Sequence, residues 1–148
     1  MNAILLAIAA GLCWGIGEVA TRSALHSGKV GPFAAVAFRT TIALPLIWAA
    51  WFVARKFSKL EARGFADVDG GTWLKLILGS GLVAGAAAMI FFYAALSIGE
   101  ISRVKPIAFA LAPATGVLLG WMILGEPISA KKLGGVALIL LGVVTLAR

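Results

Sequence analysis

Residues 11–22 read GLCWGIGEVATR, an apolar, glycine-rich stretch that carries a carboxylate at Glu18 and a guanidinium at Arg22. A second arginine, Arg39, stands in the apolar run FRTTIALPLIW, and Tyr93 stands in a third, FFYAAL. Ionised groups in hydrocarbon are expensive, so such side chains face a partner, a wet cavity or the interface. Three roles are open to Glu18. It is a protonatable carboxylate that binds a proton or a cation in turn, a partner held in an ion pair by Arg39 or Arg22, or a group that snorkels to the interface. Arg39 keeps its charge at any accessible pH. It either attracts an anionic or carboxylate-bearing solute or neutralises Glu18. Tyr93 either lines a cavity or packs and anchors its helix, the usual role of amphipathic rings near interfaces.

The spacing of these groups adds a direction. Gly11, Trp14, Gly15, Glu18, Thr21, Arg22 and Leu25 recur at helical i, i+3, i+4 intervals, so they share one stripe. A stripe that mixes small residues, a tryptophan and a carboxylate is not built for lipid; it is expected against another helix or a cavity. At 1.5 Å per residue, Glu18 and Arg39 lie within about 10 Å of the same surface, so they can meet if their helices are neighbours.

The elements that position them are apolar runs. The chain has 148 residues, 61% hydrophobic and 13% charged, and a mean hydropathy of +1.03. That excess predicts an all-α membrane protein in one compact bundle, with no separate soluble domain. Five transmembrane helices are expected, at about 3–24, 33–53, 73–98, 107–124 and 133–147, with a polar loop at 54–72. The last run is near the lower length limit for a crossing. No charged segment precedes the first run, so no cleaved signal peptide is expected.

The net charge of +7 is read as topology and contact with anionic headgroups, not as nucleic-acid binding, because the basic residues fall at the ends of apolar runs. With five crossings the termini lie on opposite sides. Arg55, Lys56, Lys59, Arg63, Lys75, Lys131 and Lys132 share the N-terminal side; Arg22, Lys29, Arg103, Lys105 and Arg148 share the other. Seven against five favours a cytoplasmic N-terminus only slightly, a balance that permits insertion both ways. Trp48, Trp51, Trp73 and Trp121 fall near the N-terminal-side interface, where belt residues belong; Trp14 lies mid-helix.

Gly11/Gly15, Gly81/Gly85 and Gly116/Gly120 are small-xxx-small pairs suited to close helix contact, a pattern that specifies no function. Pro45 and Pro113 each remove a backbone hydrogen bond inside a run. They are either hinges or the prolines that membrane helices tolerate generally. Cys13 is the only cysteine, expected as a small core hydrophobe. Glu100 and Glu126 are read as solvated loop charges, and His26 is assigned no role. Metal spacing, a phosphate loop and a nucleophile–base set are absent from the sequence, so no enzyme activity and no cofactor is expected.

The segment from Tyr93 to Val144 is similar to the end of an EamA-type domain of the drug/metabolite transporter superfamily. The marks are Tyr93-Ala-Ala-Leu, Pro106, Pro113, Leu124-Gly125-Glu126, Gly135 and Gly142. CWGIGEVATRSAL resembles that domain's opening helix, and FRTTIAL its second-helix arginine pattern. The resemblance implies export or exchange of small metabolites, amino acids or drugs across an inner (plasma) membrane. It also implies two five-helix repeats of opposite orientation around a central cavity. One repeat is present here, so the expected assembly is an antiparallel homodimer or a pair with a homologous subunit. Inverted repeats place the substrate near the midplane. An acidic residue at Glu18 departs from the general EamA pattern, so that family does not supply its role. GEVATRSAL also resembles the first helix of the small multidrug resistance proteins, whose glutamate there binds protons and cationic drugs alternately. Arg39 and the fifth crossing fit EamA better. Together these readings predict a secondary transporter of a small organic solute, with a proton gradient acting through Glu18. A passive channel formed by an antiparallel dimer, or a non-transporting membrane subunit, is the alternative.

Overall fold

The computed structural model describes residues 2–57, 64–65 and 68–147. Lys59, Arg63 and Arg148 of the charge balance, and 58–63 and 66–67 of the expected polar loop, lie outside the described residues. What is described is helical, with five helices and no strand among those residues. The helices are α1 (Ala3–His26), α2 (Pro32–Phe57), α3 (Gly70–Ile98), α4 (Ile101–Leu124) and α5 (Ala130–Ala147). Among the described residues, α1 to α4 are each long and apolar enough to cross a membrane. The protein is an all-α membrane protein. α5 has 18 residues, about 27 Å at 1.5 Å per residue, a little short of a hydrocarbon core of roughly 30 Å.

Each helix is longer than its apolar run. Residues 54–57 and 70–72, expected in the polar loop, are helical, and α4 begins at Ile101 where the run begins at 107. Hydropathy marks only the part at lipid depth, whereas backbone hydrogen bonding continues into the interface, where Arg and Lys heads stay wet. Pro106 is therefore inside α4, together with Pro113, and Pro45 is inside α2.

Local chemistry sets the ends. The Asn2 side chain accepts from the Ile4 N–H at 3.1 Å and caps α1, and Gly28 turns the chain after it with φ +68°. Asp69 caps α3, accepting from the Thr72 hydroxyl at 2.6 Å and its N–H at 3.0 Å. Those bonds, the hydroxyl first, hold the Asp69 carboxyl below the usual carboxylate range.

α3 departs from a plain α-helix. Its middle, Lys75–Ala87, is wound as a π-helix, and the Ala88 N–H donates to the Val83 carbonyl five residues back. Such wide turns are rare and mostly single. The stretch KLILGSGLVAGAA has small residues at Gly79, Ser80, Gly81 and Gly85. At Gly85 a Cβ would meet the Ser80 carbonyl oxygen at 3.0 Å. The missing side chain there accommodates the helix's own backbone, where the GLVAG spacing suggested a neighbouring helix.

The chain groups into two compact units, Met1–Ser97 and Ile98–Arg148. In the second, α4 and α5 pack on each other across a short loop. Gly125, with φ +67°, closes α4, and the Glu126 N–H reaches back to the Gly120 carbonyl at 3.1 Å. Gly120 is buried, and the Glu126 carboxylate lies 3.2 Å from where its Cβ would sit. In the first unit, Trp48, Trp51 and Phe52 of α2 gather with Phe65 and with Trp73 of α3. Phe65 stacks on Trp73 at 5.4 Å and meets Trp51 at the same distance.

Candidate functional site

Of the sequence-selected candidates Glu18, Arg39, Trp14 and Tyr93, the first unit brings Glu18, Arg39 and Tyr93 into one contact set. Arg39 of α2 donates from Nη1 to Glu18 Oε1 of α1 at 3.3 Å. The same nitrogen donates to the Tyr93 hydroxyl of α3 at 3.2 Å and lies 3.9 Å from Met89 Sδ. The guanidinium carbon is 5.8 Å from the centre of the Tyr93 ring. Glu18 is 3% exposed and Tyr93 1%, whereas the Arg39 side chain keeps 36% of its surface accessible. Glu18 is thus enclosed while Arg39 stands at an edge.

The hydrogen bonds have a definite direction. Thr21 donates its hydroxyl to the Gly17 carbonyl at 3.0 Å, so its oxygen is left to accept from the Tyr93 hydroxyl at 3.4 Å. Tyr93 in turn accepts from Arg39. The chain Arg39 to Tyr93 to Thr21 to Gly17 ties all three helices together and orients the guanidinium. The ion pair itself is a single contact through one nitrogen. At 3.3 Å it is longer than the roughly 2.7–2.9 Å of a tight charge-assisted bond. One turn along α1, Arg22 has Nη1 buried with no hydrogen-bond partner among the described residues. The charged side chains in the lining of this end are Glu18 and Arg39, one of each sign.

These groups border a cavity of about 640 Å³, within the range of pockets that hold small organic molecules. Its polar edge is Glu18, Arg39, Thr21 and Tyr93, and Trp14 and Phe38 supply aromatic wall. Trp14 is 48% exposed. Cys13 also lines the cavity and is exposed, which corrects its expected place in the core. It is next to Trp14 on α1, on the cavity side of the helix.

The glycine and proline positions stand apart from this set. No atom lies within 4 Å of a Cβ placed at Gly11, Gly15 or Gly116 among the described residues. Pro45 lies deeper along α2 than Arg39, and Pro113 and Gly120 belong to the other unit. Sequence reasoning missed Met89 and Phe38. Met89 stands four residues before Tyr93 on one helix, a spacing that puts both on one face, and that signal was available. Phe38 adjoins Arg39 but had no distinguishing pattern.

The profile of the EamA-like transporter family matches residues 1–148. The chain belongs to the EamA-like transporter family. Among curated proteins and solved structures, none matches it. An EamA-like chain is a multi-pass membrane protein of a transporter superfamily. Among the described residues there is no group of His, Cys, Asp and Glu side chains that would hold a metal ion.

Proposed function

We propose that this EamA-like chain is one repeat of a secondary transporter that moves a small organic solute by alternating access, with a proton as the coupling ion at Glu18. The observation that carries the reading is the Glu18–Arg39–Tyr93 set on the border of a cavity formed by three membrane helices. Glu18 is enclosed and its contact with Arg39 is long, at 3.3 Å, which supports a cycle between a paired and a protonated state. Arg39 reaches Glu18 and Tyr93 through one nitrogen, and Arg22 stands one turn along the same helix as Glu18. Protonation would free Arg39 without leaving a buried anion.

Two features support completion by a second copy inserted the opposite way, or by a homologous subunit. Most of the large apolar side chains on α1 and α2 are exposed in the single chain. Among the described residues nothing lies within 4 Å of a Cβ placed at Gly11 or Gly15, and such small-residue stripes serve close helix approach in membranes. The site belongs in the inner (plasma) membrane, as the family's export role implies.

The experiment is proton movement in proteoliposomes carrying a pH-sensitive dye in the lumen, screened against a panel of small solutes. Addition of a substrate should move protons with the wild-type protein. Glu18→Gln should remove that coupling while the protein stays folded and monodisperse. Coupled flux at the wild-type rate in Glu18→Gln would eliminate the proton role.

A further inference from the structure

The orientation of Arg39 points to a substrate class. Every hydrogen bond that Arg39 makes among the described residues leaves from Nη1, to Glu18, Tyr93 and, weakly, Met89. Nη1 carries two hydrogens, so Glu18 and Tyr93 use both. The donors on Nε and Nη2 are left, and they form the parallel edge that accepts two oxygens of one planar anion. The side chain's accessible surface and its place in the cavity wall give that edge a route to a solute.

We propose that the solute is an organic monocarboxylate with an apolar or aromatic body, its carboxylate held side-on by the Nε–Nη2 edge of Arg39 and its body against Trp14 and Phe38. This rests on the transporter reading and specifies its cargo. Three observations select the class. The edge geometry matches a planar carboxylate. In the cavity lining Arg39 is the cationic side chain and Glu18 the acidic one, so with Glu18 protonated one positive charge is left, which a monoanion neutralises and a dianionic phosphate would overshoot. The remaining wall is apolar and aromatic, so the body of the ligand is hydrophobic. The carboxylate does not displace Glu18, because the two occupy different sides of the guanidinium; Nη1 keeps the fork in place while the solute comes and goes.

Cys13 supplies a readout independent of transport, since it is the only cysteine and lines the same cavity. The purified full-length protein is labelled with a neutral maleimide in the presence of four probes: 3-phenylpropionate, its neutral amide, phenethylammonium and phenyl phosphate. The acid is expected to slow Cys13 labelling, with the amide, the amine and the phosphate about tenfold or more weaker, the scale of a lost pair of charge-assisted hydrogen bonds. Arg39→Lys keeps the charge but not the fork, and is expected to lose about the same factor. Arg39→Gln combined with Glu18→Gln orphans no buried charge, so loss of protection in a monodisperse double variant reports the binding edge and not the fold.

Equal protection by acid and amide, stronger protection by phenyl phosphate or phenethylammonium, no protection by the acid, or an unchanged profile in both Arg39 variants would each overturn the assignment. The two readings also fail separately. Protection by the amine alone, with proton-coupled flux intact, removes the carboxylate and leaves the transporter. Protection by the acid without any flux leaves the binding site and removes the transporter.

Discussion

At the scale of single residues, the pair of Glu18 and Arg39 is unequal. Glu18 is enclosed and Arg39 is partly accessible, so removing one partner has different consequences from removing the other. Arg39→Gln leaves an enclosed carboxylate facing a neutral amide. Breaking a fully buried pair this way costs about 3–5 kcal/mol. Because Arg39 keeps about a third of its side-chain surface accessible, a smaller loss is expected, on the order of 1–3 kcal/mol. Glu18→Gln removes the charge that needed burial and is expected to be close to neutral in stability, with the double variant nearer to Glu18→Gln than to Arg39→Gln. Thermal unfolding of the four proteins in one detergent, arranged as a double-mutant cycle, measures this. Additive losses would show that the contact contributes nothing. The sequence identified Glu18, Arg39 and Tyr93 as polar groups at suspicious depth, because charge in an apolar run is legible without a structure. It did not say that one nitrogen of Arg39 serves both of the others, since side-chain torsions and helix rotation decide which edge of a planar group is used.

Among the elements, α3 is the one whose internal geometry could not be read in advance. Its apolar run reads as an ordinary membrane helix, and hydropathy is blind to whether a hydrogen bond closes at four residues or five. The π-wound segment makes two of its glycines unequal. A Cβ at Gly79 meets nothing within 4 Å, whereas one at Gly85 would press on the Ser80 carbonyl oxygen at 3.0 Å. In a plain α-helix, either Gly→Ala change would stabilise by about 1 kcal/mol. Here Gly79→Ala is expected to keep that gain. Gly85→Ala is expected to lose it and to destabilise by about 1 kcal/mol, as overpacking does. Unfolding midpoints of the two variants under identical conditions decide the point; equal gains at both sites would mean that the segment relaxes to α-helical winding. The helix ends were also only partly legible. Asn2 and Asp69 act as side-chain caps through bonds that their types favour. The start of α4 at Ile101 was hidden, because Arg103 and Lys105 look like loop residues to a hydropathy window yet are tolerated in a helix whose first turn lies in the interface.

For the whole molecule, the question is how one five-helix repeat makes a two-sided path. Under the proposed transporter reading, the cavity bordered by α1, α2 and α3 is completed by a second repeat, an oppositely inserted copy or a homologous subunit. With basic residues divided seven against five in the expected topology, the bias is slight and permits insertion in both orientations, which the antiparallel homodimer requires. C-terminal reporters that need the cytoplasm or the periplasm should therefore both give signal. Changing Lys131 and Lys132 to alanine should shift the ratio by removing two charges from the richer side. One strong and one silent reporter would rule out the antiparallel homodimer and leave a homologous partner chain.

The sequence by itself determined the membrane class, the number of helices, the family and the short list of polar residues at depth. Each of these follows from hydropathy, periodicity or residue order, which are properties of the chain in one dimension. Only the tertiary structure decided that Arg39 meets Glu18 and Tyr93 through one nitrogen, that Cys13 and Trp14 line the same cavity, and that α3 is wound wide in its middle. Those outcomes depend on how three helices rotate and approach one another, and on backbone hydrogen bonding. Neither composition nor spacing encodes these in a form that can be read without the fold.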